Sequence, residues 1–166
     1  MSEKIKIYEG DVITLIEVQE CHIPPEVLFE WVKDIQSYAQ TIPGCQHSGV
    51  IEVISPVEEM AYLDIGFGIW HEKIITHNMY QPDKRIEIQL VSGPFKSLSG
   101  SWTFDPITDS KETTRVELSL NVEFHSWFLE SLANFIITHH KGLILEFVER
   151  KIKSYEYQKT QYPTTY

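Results

Sequence analysis

Apolar and polar residues alternate along most of the segment between residues 47 and 124. Ile86, Ile88 and Leu90 are separated by polar residues, and a similar run extends from Val116 to Phe124. Alternation with period two is typical of strands that have one solvated and one apolar face. Between turns marked by proline and glycine, this pattern predicts antiparallel strands at residues 47–55, 59–67, 69–79, 85–92, 98–106 and 113–124.

The remaining segments show a different periodicity. Residues 5–21 are rich in β-formers, with a break near Gly10. A helix is then expected to begin at Pro24 and Pro25, since proline suits a first helical turn. Apolar residues at helical spacing give this helix one buried face, formed by Val27, Leu28, Trp31, Val32 and Ile35. A second short helix is expected at 36–41.

The chain is predicted to end in a long helix at residues 127–155. One apolar stripe runs along it, formed by Leu129, Leu132, Ile136, Leu143 and Phe147. Strands in succession with helices at the ends favour an α+β fold with an antiparallel sheet, and the terminal helix can cover the apolar face of that sheet. We expect a single domain over 1–166, with a core at about 12–155 and a short polar tail at 156–166.

Charge narrows the classes of partner. The chain has 24 acidic and 14 basic residues, a net charge of −10. Nucleic-acid affinity comes largely from lysine and arginine, so a nucleic-acid partner is disfavoured. Electrostatic anchoring to anionic membranes is disfavoured for the same reason, although transient membrane contact stays open.

Cysteine usage and the absence of targeting patterns suggest a compartment. Cys21 and Cys45 form no metal or redox motif and fit a reducing environment, although a disulfide between them stays open. The first residues contain no apolar segment typical of a signal peptide, and no apolar run approaches the ~18 residues needed to span a bilayer. We therefore expect a soluble cytoplasmic protein.

Several words of the sequence resemble one family. These are Ile65-Gly66-Phe67, the segment Leu90-Val91-Ser92-Gly93-Pro94-Phe95, then Leu98, Gly100 and Trp102-Thr103-Phe104, and finally Phe147-Val148-Glu149-Arg150. Over about residues 12–155 the chain resembles the polyketide cyclase/dehydrase and coenzyme-Q-binding family, of the START-like, helix-grip superfamily. The resemblance implies a curved antiparallel sheet wrapped around a long C-terminal helix, with a hydrophobic cavity between them.

The same resemblance implies several functions. Members of the family bind ubiquinone or other lipids, some are aromatase/cyclases that act on polyketides, and one branch is described as a ribosome-associated toxin. The tetrapeptide Ile42-Pro43-Gly44-Cys45 departs from the quinone-binding branch and resembles another START-like family, that of an accessory protein of carbon-monoxide dehydrogenase. The departure leaves the fold unchanged and the ligand open.

Large flat side chains are the best candidates for a cavity wall, because they supply apolar surface at low entropic cost. For each of them, simple core packing is the competing interpretation. The candidates for contact with a ligand are Trp31, Tyr38, Phe67, Trp70, Leu90, Phe95, Trp102, Phe104, Phe128, Leu132, Phe135 and Ile136. Two loops, the turn at 92–98 and the bend at 42–45, are expected to flank the mouth of the cavity, through Gly93, Pro94, Ile42 and Pro43.

Signals for catalysis or metal binding are weak. The seven histidines show no zinc-type spacing, and no nucleophile–base pair or cofactor motif is present. Asp64, His71 and Glu72 lie in strands and could act as acid or base only if one of them faced a dry cavity. We expect solvated strand residues instead, and we predict no cofactor, no metal and no catalytic residue.

The sequence thus predicts a protein that binds and carries a hydrophobic small molecule, in the first place an isoprenoid quinone or a related lipid. One alternative is a polyketide or aromatic cyclase, which two or more ionisable groups in the cavity would favour. Another is a ribosome-associated toxin, for which a basic patch on the last helix could serve, formed by Lys141, Arg150, Lys151 and Lys153. The oligomeric state is not encoded in any visible pattern.

Overall fold

The computed structural model describes residues 2–67, 69–107, 112–125 and 142–161. Its sheet contains the strands β1 Ser2–Glu9, β2 Val12–Cys21, β3 Cys45–Ser55, β4 Glu58–Phe67, β5 Trp70–Gln81, β6 Arg85–Ser92, β7 Phe95–Pro106 and β8 Thr114–Phe124. All pairs are antiparallel, and the strand order is β1-β2-β8-β7-β6-β5-β4-β3. The chain therefore runs from β3 to β8 as a meander, and β8 closes it against the N-terminal hairpin.

Two predicted strand boundaries shift for local reasons. Residues 5–21 form the hairpin of β1 and β2, and Gly10 in its turn has φ of 61°, which glycine adopts without a steric penalty. β7 begins at Phe95 instead of residue 98, because Phe95 still pairs with Phe124 beyond a register shift. The turn predicted at 92–98 is consequently reduced to Gly93 and Pro94.

Three helices and one 3₁₀ turn accompany the sheet in the described part of the chain. They are α1 Pro25–Lys33, the 3₁₀ turn Ile35–Ser37, α2 Tyr38–Thr41 and α3 Leu143–Gln161. The buried face of α1 includes Phe29, whereas Val27, which the sequence analysis placed on that face, is 36% exposed. None of the described helices is long and apolar enough to cross a bilayer.

The predicted terminal helix is described only in its second half. Residues 126–141 lie outside the described part, so most of the predicted stripe, Leu129, Leu132 and Ile136, is not described. Leu143 and Phe147 from the same stripe lie in α3 and contact the core. The helix continues to Gln161, so part of the expected tail at 156–166 is helical.

The concave face of the sheet is covered in two places. Beneath α1, the ring of Phe29 meets the rings of Tyr80 and Phe104 edge-on, with centroids 6.1 and 5.9 Å apart. Such pairs add to the free energy gained by burial of the rings. Beneath α2 and α3, Phe147 contacts both Tyr38 and Trp102, each at 6.0 Å between centroids.

The position of α3 is fixed at its first turn by a buried carboxylate. Glu17 of β2, only 2% exposed, accepts hydrogen bonds from the backbone N–H groups of Leu143 at 2.9 Å and Ile144 at 2.7 Å. These N–H groups have no partner within the helix, and a negative charge suits this end of the helix dipole. Near the middle of α3, Lys151 Nζ lies 2.9 Å from the carboxylate of Asp34.

Candidate functional site

A cavity of about 220 Å³ lies between the concave face of the sheet and the helices α2 and α3. It occupies the part of the concave face that α1 does not cover. Most of its wall is hydrocarbon or aromatic, contributed by Ile35, Ile42, Pro43, Leu63, Ile74, Ile86, Ile88, Leu98, Trp102, Leu118, Leu120, Leu143 and Phe147.

Strand periodicity explains why these residues meet. Ile86 and Ile88 of β6 point to the same face because two residues separate equivalent positions in a strand. Registry then aligns them with their neighbours, since Ile86 lies opposite Tyr80 on one side and Trp102 on the other. Leu118 of β8 pairs with Trp102 and extends the same apolar layer.

Gly100 of β7 also shapes this layer. A Cβ atom at this position would lie 2.5 Å from Leu120 Cδ2 and 2.7 Å from the carbonyl oxygen of Ser119. The missing side chain therefore gives Leu120, a cavity residue, its place on the sheet.

Four polar side chains also line the cavity: Tyr38, Thr41, Thr76 and Asn78. Two of them use their hydroxyl groups within the helical segment. Tyr38 donates to the carbonyl oxygen of Val32, and Thr41 donates to that of Ser37 at 3.1 Å. Burial, reinforced by the nearby carboxylates of Asp34 and Glu59, raises the pKa of Tyr38, so its hydroxyl stays protonated.

Asn78 belongs to a chain of buried polar groups on β4 and β5. Tyr80 donates a hydrogen bond to Glu59 Oε1, and the Asn78 side chain donates one to Tyr80. Burial, with the hydrogen bond to Glu59, raises the pKa of Tyr80. The sequence analysis missed Asn78, although its spacing from Ile74 and Tyr80, an even number of residues along one strand, was visible in the sequence.

Several of the residues expected at a ligand lie in this wall. Tyr38 comes from α2 and Trp102 from β7, and their neighbours Ile42 and Pro43 form the segment that follows α2. The bend after α2 thus borders the cavity, as proposed for its mouth. The contribution of these residues to ligand binding is taken up below as a proposal.

Other expected residues lie elsewhere. Phe104 is buried under α1 against Phe29, and Trp31 packs on the edge of the core. Phe95 meets Phe124 edge-on at 5.5 Å, near the Gly93-Pro94 turn, and neither Phe95 nor Leu90 lines the cavity. Gly93 and Pro94 do not line it either, because β6 and β7 stay paired almost to the turn.

Two groups of expected residues fall outside this comparison. The backbones of Phe67 and Trp70 form the end of the hairpin between β4 and β5, where they pair with each other, but their side chains are not described. The candidates of the terminal helix, Phe128, Leu132, Phe135 and Ile136, lie outside the described residues altogether. Their expected contacts with a ligand stay predictions.

The three charged candidates lie away from the cavity. Asp64 follows the cavity residue Leu63 and points to the opposite face, where it meets Lys73 at 3.5 Å and His47 at 3.9 Å. His71 is exposed, and Glu72 is half-buried without lining the wall. Across the described ranges, no group of three histidine, cysteine or acidic side chains could hold a metal ion.

Both cysteines are buried thiols. Burial raises the pKa of Cys21 to about 11 and also raises that of Cys45. A protonated, shielded thiol is a poor nucleophile. Neither thiol lines the cavity, so neither is positioned to react with its contents.

Comparison with known proteins identifies the family of this cavity-bearing fold. A model of the family described as "Polyketide cyclase / dehydrase and lipid transport" matches residues 21–149. The chain belongs to this family. The resemblance noted from the Gly-Pro-Phe and Trp-Thr-Phe words is thereby confirmed.

Among curated relatives, the chain is 35% identical over 105 residues to the ribosome association toxin RatA of Escherichia coli strain K12, covering 63% of this chain and 65% of that protein. It is 32% identical over 135 residues to the protein of that name from Rickettsia prowazekii, covering 76% and 87%. The match thus spans less than two thirds of the Escherichia coli relative.

Solved structures share the fold. A START superfamily protein from Mycobacterium smegmatis aligns with a TM-score of 0.68 at 17% identity, covering 85% of this chain and 97% of that one. The Zhui aromatase/cyclase from Streptomyces sp. R1128 aligns with a TM-score of 0.62 at 14% identity, covering 69% and 70%. The predicted α+β, START-like helix-grip fold is confirmed.

Proposed function

We propose that this protein binds a hydrophobic small molecule in the cavity beneath α2 and α3 and carries it between a membrane and another protein. The apolar wall of that cavity is the observation that supports the proposal. Burial of apolar ligand surface contributes about 25 cal/mol per Å², so a ring or prenyl segment can be held without many polar contacts. Family membership points to lipids or polyketides as the ligand class.

Cavity size narrows the fragment that fits. An apolar cavity of about 150 Å³ accommodates a benzene molecule, and this one measures about 220 Å³. The space suits a substituted ring or a short isoprenoid segment. We therefore propose an isoprenoid quinone or a related lipid as ligand, with its ring or its first prenyl unit in the cavity.

Filling the cavity tests this proposal. Leu63→Phe adds bulk to the wall, and Ile54→Phe adds the same type of side chain at an exposed site on the neighbouring strand. We expect Leu63→Phe to weaken binding of a short-chain ubiquinone analogue at least about tenfold, with an overpacking cost of ~1–3 kcal/mol. Ile54→Phe should bind like the parent.

Titration calorimetry measures the affinity, and urea unfolding measures the stability of each variant. Equal binding by Leu63→Phe, the control and the parent would place the ligand elsewhere. Transfer of the analogue between two populations of vesicles then separates a carrier, which accelerates exchange, from a protein that only stores its ligand.

Ribosome association is a second candidate, favoured by the names of the curated relatives. The charges on the described part of α3 give it little support. Arg150 pairs with Glu146 at 2.6 Å and Lys151 pairs with Asp34, which leaves Lys153 as the exposed member of the expected patch, while Lys141 is not described. Co-sedimentation with ribosomes on sucrose gradients at low and high salt tests this candidate directly.

A cyclase would need ionisable groups around the bound chain. In the described wall, Tyr38 is the ionisable side chain, and its hydroxyl is already bonded to Val32. Binding without chemistry is therefore the better-supported proposal. Incubation of the protein with a linear poly-β-ketone model compound, followed by mass spectrometry, would reveal cyclisation or loss of water.

A further inference from the structure

One polar atom in the cavity wall has no partner. Asn78 is 2% exposed, and its Oδ1 accepts no hydrogen bond from any residue that the structure describes. Buried polar atoms are almost always bonded, and an unpaired one costs roughly 1–3 kcal/mol. In a wall that is otherwise nearly all hydrocarbon, such an atom indicates a place where a ligand supplies the missing donor.

The hydrogen-bond chain behind Asn78 determines which end of its amide faces the cavity. The Tyr80 hydroxyl has one hydrogen, which it donates to Glu59, so Tyr80 Oη can only accept from its other neighbour. The amide nitrogen of Asn78 is that donor. Oxygen and nitrogen of an amide are otherwise hard to tell apart, but here the chain leaves the oxygen on the side away from Tyr80.

Tyr80 is itself held in place. Its ring contacts Phe29 edge-on at 6.1 Å, and Lys33 Nζ, also from α1, lies 5.3 Å from the centre of the Tyr80 ring. The phenol also keeps its proton, because burial and the carboxylate of Glu59 raise its pKa. The donor–acceptor direction of the whole chain is thus set by the protein before a ligand arrives.

We infer that the cavity selects an apolar ligand that carries a hydrogen-bond donor, a phenolic or alcoholic hydroxyl, and that Asn78 Oδ1 accepts from it. The inference rests on the proposed function and specifies its ligand class. A hydroquinone or hydroxylated lipid satisfies this acceptor, whereas an oxidised quinone, an ether or a plain hydrocarbon offers no hydroxyl hydrogen.

Three ligands of one ring size test the inference: 2-naphthol, naphthalene and 2-methoxynaphthalene. The first has the hydroxyl, the second lacks it, and the third replaces its hydrogen by a methyl group. Titration by fluorescence and calorimetry on the full chain should show 2-naphthol binding about tenfold more tightly than either analogue, the effect of one buried hydrogen bond. This comparison in the parent protein depends on no variant.

Variants assign the effect to Asn78. Asn78→Leu keeps the volume but removes the acceptor, so the order should invert and naphthalene should bind more tightly than 2-naphthol, whose hydroxyl is now unpaired. Thr76→Val, two residues away on the same strand face, is the matched control and should keep the preference for 2-naphthol. Tyr80→Phe removes the acceptor of the amide nitrogen, frees the amide to turn, and should reduce the preference.

Each outcome decides the matter. Binding of all three ligands with equal affinity overturns the inference and leaves the proposed function standing. Binding of none overturns the proposed function and the inference together. Loss of the preference in Thr76→Val, with the preference retained in Asn78→Leu, would overturn the assignment to Asn78.

Discussion

At the scale of single residues, two buried polar groups serve different purposes. Glu17 has both carboxylate oxygens paired with the first N–H groups of α3, so its burial is compensated within the protein. Asn78 has its amide nitrogen paired and its oxygen unpaired among the described residues. Full pairing is typical of a structural role, and partial pairing in a cavity is typical of a site that awaits a partner.

Removal of the Glu17 carboxylate should destabilise the fold without a direct effect on the ligand. We expect Glu17→Ala to lower the free energy of unfolding by about 1–3 kcal/mol, because two N–H groups at the start of α3 lose their acceptor. Urea unfolding followed by circular dichroism measures the change. Glu9→Gln, at an exposed position of β1, is the control, and a similar loss in both variants would contradict this role.

At the scale of elements, the sheet supplies both the fold and the cavity. Each strand sends alternate residues to the concave face, and α1 occupies one part of that face while α2 and α3 roof the other. The cavity exists because the two coverings do not meet over Ile88 and Leu120. Gly100, between these two residues in register, sets how closely β7 and β8 can present their side chains.

A side chain at Gly100 should therefore disturb the sheet. Gly100→Ala places its Cβ against Leu120 and a backbone oxygen, and the overpacking should cost ~1–3 kcal/mol of stability. Displacement of Leu120 into the cavity should also weaken ligand binding. Thermal unfolding and calorimetry measure the two effects. Ser101→Ala, one residue further on the opposite face, should change neither, and an unaffected Gly100→Ala would show that the strand relaxes freely.

Much of the fold could be predicted from the sequence, because alternation and turn residues determine strands locally. β6 was predicted at its observed bounds, and the helix at Pro25 follows from proline's fixed φ. The site was harder. Tyr38 and Trp102 are recognisable by size, but Asn78 looks like any solvated strand residue until the register shows which face it occupies. Phe95 was expected at a ligand because its actual partner, Phe124, is distant in the sequence.

At the scale of the whole molecule, burial of weak acids makes stability sensitive to alkaline pH. The Cys21 thiol has its pKa raised from 9.0 to about 11 by burial. Between these values the unfolded chain has lost the proton and the folded chain retains it, so the free energy of unfolding falls as pH rises from 9 to 11. Below the lower of these values both states are protonated, and the contribution is complete.

Cys21→Ala should make this decline shallower. The variant loses some packing at every pH, so the slope of unfolding free energy against pH, and not its absolute value, is the quantity to compare. Urea unfolding at several pH values from about 8 to about 11 supplies it. A variant whose slope equals that of the parent would mean that the thiol does not contribute, and that Cys45, Tyr38 and Tyr80, whose pKa values burial also raises, account for the decline.

The pairing of β2 with β8 also has a consequence for the order of events during synthesis. The hairpin of β1 and β2 is made first, yet β2 obtains its second neighbour only when residues near 114–124 exist, and Glu17 waits for Leu143 and Ile144, 126 and 127 positions later. At ~5–20 residues per second, this delay is roughly 5–20 s. During that interval the apolar concave face of the growing meander has neither its closing strand nor its last helix. A nascent chain of this protein therefore exposes its future cavity to the cell until synthesis is nearly complete, and a chaperone that shields apolar strands should act on it in that interval.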